Sequence, residues 1–194
     1  MKHLSQYLLL SFLLTTPLLY GQGNFTDQTV DAILLGQYDH SDFYDDLTVT
    51  SKSELKSGIM SEVRPANLHD YLLEMNVFDT RNTGSDTLGA LGIGAARDYA
   101  LAKFESFAEE SASPLIPSFF VFDGVIWGKA RHKNICAIQP GIDPSDPSVI
   151  IIEAHLDSRC ATVCDTECDA HGMEDNASES ALVLELARVM SQYK

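Results

Sequence analysis

Apolar residues recur along this chain at changing periods, and the changes mark its elements. Leu68, Tyr71, Leu72 and Met75 fall at helical spacing behind Pro65, which predicts a short helix. A turn-rich stretch, FDTRNTGSD at 78–86, follows. Ile93, Ala96, Ala100, Phe104 and Phe107 then line one face of a longer helix, which SASP at 111–114 ends. Beyond it the period shortens. LIPSFFVF (115–122) and VIWGKA (125–130) read as two strands about an Asp123-Gly124 turn, and NICAIQPG (134–141) as a further strand closed by Pro-Gly. GIDPSDPS (141–148) is a loop. SVIIIEAHLD (148–157) opens with an unbroken apolar run, the pattern of a strand covered on both faces. Leu182, Leu186, Val189 and Tyr193 predict the apolar face of a last helix from about 178 to 193. Helices, strands and a helix in this order predict an α/β fold, a central mixed, partly parallel sheet flanked by helices.

Residues 23–66 lack such patterning and read as an acidic arm, with YDHSDFYDD at 38–46 as a loop; residues 67–194 form the patterned domain. The full chain has 194 residues and 45% hydrophobic content, sufficient for one domain with a real core. Its formal charge of −15 disfavours nucleic-acid partners, which are held through Lys and Arg contacts to phosphate. It suits an exported protein or a cation site. Residues 1–22 read as a signal peptide: Lys2, the apolar run Leu8 to Leu14, a break at Thr15 to Pro17, and a small residue at Gly21. The apolar stretch 7–20 is shorter than the roughly 20 residues that span a bilayer, so a retained anchor is the weaker alternative and no stable membrane association is expected. The expected location is secreted or periplasmic. Oligomeric state is not readable from the chain.

Chemistry concentrates in HLDSRCATVCDTECDAHGMEDNAS, 155–178. His155 ends the apolar strand, where open α/β sheets place functional groups. Asp157, two residues on, faces the same way in extended chain. Its carboxylate is placed to bind one ring nitrogen of His155 and free the other for a metal. The plainer alternative is a histidine that only hydrogen-bonds its aspartate. In GMEDNAS (172–178), Gly172 permits unusual backbone, Asp175 precedes a helix start, and Ser178 is a candidate cap. A carboxylate there is able to bridge two cations; the plainer alternative is capping alone.

Taken together these segments resemble metallopeptidase family 28, the secreted di-zinc aminopeptidases and their carboxypeptidase and glutaminyl cyclase relatives. The resemblance runs over about 67–194 and rests on FDTRNTGS, GIGAARDYALAKFES, NICAIQPG, SVIIIEAHLDS and GMEDNASESALVLELARVM. It implies a zinc-aminopeptidase-like fold and a zinc-dependent exopeptidase that hydrolyses peptide substrates with two zinc ions. By the same resemblance His155 binds one zinc, Asp157 orients His155, Asp175 bridges both zincs, and the Asp175–Asn176 bond is a candidate cis peptide. Glu174 stands where the family commonly has aspartate, and Glu179 where it commonly has glycine. The family's Glu-Glu pair, which supplies the general base and a ligand, has no counterpart here, nor do its later aspartate and histidine ligands. Glu109-Glu110 lies upstream at a helix end. The chain therefore reads as truncated, the first half of a hydrolase site. Two alternatives stand beside the peptidase: a non-catalytic secreted binding or accessory module, and a glutaminyl cyclase-like aminoacyltransferase.

The four cysteines, Cys136, Cys160, Cys164 and Cys168, allow up to two disulfides in an exported chain. The favoured expectation is one disulfide within the 160–168 loop, the third cysteine there free or paired to Cys136. A structural zinc with His171, or an iron–sulfur cluster, are rarer alternatives. His40, His69 and His132 lack partner patterns, and Arg81 reads as an anchor of its loop.

Overall fold

The computed structural model describes residues 23–43 and 51–193. The expected signal peptide lies outside the described residues. The acidic arm is more ordered than its pattern suggests. Asn24–Phe25 (β1) pairs with the central strand, Thr29–Leu34 forms α1, and Lys52–Glu62 forms α2. Helix α2 buries no residue, so hydrophobic period could not reveal it. Its sequence signal is Ser51-Lys52-Ser53-Glu54: the Ser51 hydroxyl accepts the Glu54 amide at 3.3 Å, the first half of a capping box.

The two patterned helices stand where the sequence puts them. Pro65–Asn76 (α3) opens with proline at its first turn and buries Tyr71 and Met75. Gly92–Glu110 (α4) buries Ile93, Ala96, Ala100, Phe104 and Phe107. Ile116–Ile126 (β2) and Lys129–Ile138 (β3) form one antiparallel hairpin, and the sheet order is β1-β2-β3. The hairpin turns at Trp127-Gly128, not at Asp123-Gly124. Both turn residues have positive φ, 50° and 75°, as a two-residue turn matching strand twist requires. Asp123-Gly124 instead opens a bulge, since Asp123 pairs with Arg131 and Ile126 with Lys129. His132 is buried behind it, its Nε2 3.0 Å from the Gly124 carbonyl oxygen and its ring stacked on Phe122. The VIWGKA and NICAIQPG segments are thus joined across one hairpin rather than forming separate strands.

The described chain is an α/β fold whose three-stranded sheet is antiparallel. Parallel pairing among the described residues is one isolated bridge, Thr80 with Ala170. The apolar run before His155 belongs to no ladder, and Val149, Ile150 and Ile151 are 60%, 85% and 76% exposed. The run has the composition of a covered strand, but a strand needs neighbours for its amides and carbonyls. None of the described residues supplies them.

Ser178–Met190 (α5) closes the core over α3 and α4, burying Ala181 and Leu184 with Tyr71, Phe104 and Phe107. Its inward face is turned from the predicted one: Val189 is buried as expected, but Leu182 is 45% exposed and Glu185 is fully buried. Glu185 explains the rotation. It accepts two bonds from Arg188, at 2.7 and 2.9 Å, one from the Arg64 amide at 2.7 Å and one from Asn67 Nδ2 at 3.0 Å. The carboxylate therefore joins α5 to the first turn of α3, where it meets the positive end of the helix dipole. Burial opposes its charge, but the bonds from Arg188, Asn67 and the Arg64 amide outweigh burial and hold its pKa below the usual glutamate value.

Two outcomes follow from this packing. Glu185→Gln removes the charge and leaves Arg188 short of a partner, so it is expected to cost about 2–3 kcal/mol in chemical denaturation. A group with a depressed folded pKa stabilises above its unfolded pKa, about 4.3 for glutamate, and loses that contribution as pH falls through the folded value. The gap between wild type and Glu185→Gln should therefore close below about pH 4. Separately, burial pushes the Cys136 thiol up to about 11, and its Sγ donates to the Ser118 carbonyl at 3.3 Å. Cys164 is exposed. Iodoacetamide at neutral pH should label Cys164 in the folded protein and Cys136 only after denaturation, read by peptide mass spectrometry.

Candidate metal centre

The candidate residues come from two segments. The first is the end of the apolar run, His155 to Asp157. The second is the turn Met173–Ala177 leading into α5, entered through Gly172 at φ 51° and ψ 43°. Gly172 is fixed by its surroundings as well as by its dihedrals. A Cβ there would meet Ser158 Cβ at 2.6 Å and the Asp175 carbonyl oxygen at 2.7 Å. Asp175 and Asn176 leave helical geometry, and the peptide bond between them is cis. Asn176 is buried and donates from Nδ2 to Glu179 Oε2 at 2.7 Å. Glu179, the departure from the family pattern, thus holds the residue after Asp175. Ser178 does not cap α5; its hydroxyl donates back to the Glu174 carbonyl at 2.8 Å.

His155 stands between two carboxylates. Its Nδ1 lies 3.1 Å from the Asp157 backbone oxygen and 3.3 Å from Asp157 Oδ1. Its Nε2 lies 3.2 Å from Asp175 Oδ1. A proton on Nδ1 satisfies Asp157 and leaves the Nε2 lone pair facing the Asp175 carboxylate. The imidazole is 55% exposed and the Asp175 side chain 79%, so both are open to an ion from solvent. Asp157, 45% exposed, is more enclosed. Ser180 Oγ donates to the His155 carbonyl at 3.2 Å and ties α5 to the same segment. The nitrogen and oxygen donors of His155 and Asp175 suit zinc chemically. They are two donors: among the described residues no group of three His, Cys, Asp or Glu is arranged around one point.

Sequence reasoning treated Arg81 as a loop anchor, and the structure gives it a larger place. It is fully buried. Its guanidinium donates to four carbonyl oxygens: Leu156 at 2.8 Å, His171 at 2.6 Å, Gly172 at 3.1 Å and Met75 at 3.4 Å. Leu156 lies between His155 and Asp157, and His171-Gly172 leads to Asp175. The Arg81 backbone amide donates to Ser158 Oγ at 2.9 Å, and that hydroxyl donates to the Ala170 carbonyl. Burial pushes the Arg81 pKa down and the Asp157 charge opposes that shift; buried Arg97 on α4 shows the same two effects. Asp157 therefore sits in the field of two buried cations. The only signal of Arg81 in the chain is a charged residue among turn formers.

Between His155 and Asp175 the chain loops out and is closed by a Cys160–Cys168 disulfide, leaving Cys136 and Cys164 as thiols. One bond within the loop is the favoured expectation of the sequence. Both ring nitrogens of His171 have oxygen neighbours, with Nδ1 3.0 Å from the Asn76 carbonyl oxygen and Nε2 3.1 Å from Asp169 Oδ1.

Gly172→Ala tests the turn. With positive φ and a Cβ inside 3.0 Å of backbone oxygen, it is expected to destabilise the protein by about 2 kcal/mol or more, measured by urea unfolding.

Comparison with known proteins relates the sequence of this stretch to a peptidase family. The family model described as Peptidase family M28 matches residues 134–194. A probable zinc metalloprotease of Pyrenophora teres f. teres (strain 0-1) is 32% identical over 144 residues, covering 70% of this chain and 30% of that protein. One from Pyrenophora tritici-repentis (strain Pt-1C-BFP) is 34% identical, covering 70% of this chain and 33% of its own length. One from Pyricularia oryzae (strain 70-15 / ATCC MYA-4617 / FGSC 8958) is 32% identical, covering 68% and 27%. The chain thus spans about a third of the length of the curated relatives it matches. No solved structure matches it. Residues 134–194, the stretch that holds His155, Asp157 and Asp175, are thus the part of this chain that matches peptidase family M28.

Proposed function

We propose that this chain is part of a zinc-dependent exopeptidase, aminopeptidase-like, acting on peptide substrates. One observation carries the reading: within the M28-matching stretch, His155 Nε2 and Asp175 Oδ1 face each other at 3.2 Å while Asp157 holds the other ring nitrogen. His155 and Asp175 would hold zinc, with Asp175 shared between two ions in the complete site. Bound zinc supplies a Lewis acid for the scissile carbonyl and a water acidified toward neutral pH. Asp157 keeps the proton of His155 on Nδ1, so that Nε2 stays a donor to metal. Catalytic zinc usually has three protein ligands, so the remaining ligand and the general base come from outside the described residues.

In this reading the exposed apolar run at 149–152 is a strand of a larger, partly parallel, aminopeptidase-like sheet, which its unbroken Val-Ile composition supports. Export is part of the same proposal. A Cys160–Cys168 disulfide suits an oxidising compartment. No described helix is long and apolar enough to cross a membrane.

Zinc titration of the purified chain is the direct test. Binding is expected, and His155→Ala and Asp175→Asn should each weaken it at least about tenfold, with Asp157→Asn weakening it about 10–100-fold. Zinc binding that survives His155→Ala unchanged would defeat the assignment. Amino-terminal sequencing of exported protein should begin near Gln22 or Gly23; a start at Met1 in the external fraction would remove the leader.

A further inference from the structure

We infer that Arg81, seated by Ser158, is the positioning residue that sets the approach of His155 to Asp175. This rests on the zinc reading above and goes beyond it to a residue that binds no metal itself.

His155 and Asp175 are twenty positions apart, separated by the loop that the Cys160–Cys168 disulfide closes. That disulfide ties the loop to itself and fixes neither end against the other. Arg81 bridges the two segments from a third: its Nε donates to the Leu156 carbonyl, and its two terminal nitrogens donate to those of His171 and Gly172. The bond to Met75 anchors the same group to the end of α3. Backbone bonds reinforce the arrangement, since the Ser158 amide donates to the Arg81 carbonyl at 3.3 Å and the Ala170 amide to that of Asp79 at 3.1 Å. The turn carrying Arg81 is therefore threaded between the two segments, and Ser158 Oγ joins Arg81 to Ala170 across the gap.

A carbonyl set like this fits arginine and no other side chain. The planar fork sends donors in several fixed directions at once, whereas a lysine ammonium lacks that fixed span. Among the described residues no carboxylate lies within ion-pair distance of Arg81. Its donors are spent on backbone that leads directly to the candidate ligands. A buried cation used only for stability needs no such targets, because any acceptors serve.

The test compares zinc affinity with apo stability in four proteins: wild type, Arg81→Lys, Ser158→Ala and Glu185→Gln. Glu185→Gln is the control for lost stability away from His155 and Asp175. Arg81→Lys should lose at least about tenfold in zinc affinity, as outer partners of metal ligands do, while Glu185→Gln stays within about twofold of wild type despite its lower melting temperature. Ser158→Ala should lose several-fold in affinity. Cobalt substituted for zinc should show an altered visible spectrum in Arg81→Lys, because the donor geometry shifts. If Arg81→Lys binds zinc like wild type, or loses no more than Glu185→Gln, the inference is wrong. If Arg81→Lys does not fold, Ser158→Ala decides, and unchanged affinity there overturns the inference. Absence of zinc binding by wild type would instead strike the functional proposal, and the two failures are thereby distinct.

Discussion

A guanidinium sealed from water must find acceptors, and around Arg81 those acceptors are the carbonyl oxygens of three separate segments. An unsatisfied buried cation is costly enough to reorganise a structure, so the segments are obliged to meet around it. The end of α3, the extended segment at Leu156 and the turn at Gly172 are brought to one point in this way. The approach of His155 to Asp175 follows from that meeting, since each lies within a few residues of a carbonyl that Arg81 holds.

His155 stands between two carboxylates in different surroundings. Asp157 faces the imidazole on one side, and the charges of buried Arg81 and Arg97 act on it as well. The Asp157 carboxylate oxygen stands 3.3 Å from Nδ1. Asp175, by contrast, projects into solvent from a turn whose backbone is set by Gly172, the cis bond and the Asn176–Glu179 contact. One carboxylate is enclosed to orient and the other is exposed to receive.

Glu185 shows the same logic away from that centre. Its charge survives full burial because Arg188, Asn67 and the start of α3 complete its hydrogen bonds. The bond network fixes the rotation of α5 against the start of α3.

The chain by itself determined the elements whose signal is local. Period, Pro65 and the SASP break fix α3 and α4, the apolar run points to His155 at its end, His-x-Asp puts two groups on one side, and Gly172 marks the turn before Asp175. The polar helix α2 was also readable, through Ser51 and Glu54, though its lack of an apolar face hid it. Tertiary structure alone decided the rest. Asp-Gly is the stronger local turn signal, yet strand register put the turn at Trp127-Gly128. The apolar stripe predicted for α5 put Leu182 inward with Val189, and a buried carboxylate turned the helix so that Val189 stays inside and Leu182 is exposed. Arg81 looked like one charge in a loop, because hydrogen bonds to backbone carbonyls leave no trace in the identity of the residues that supply them.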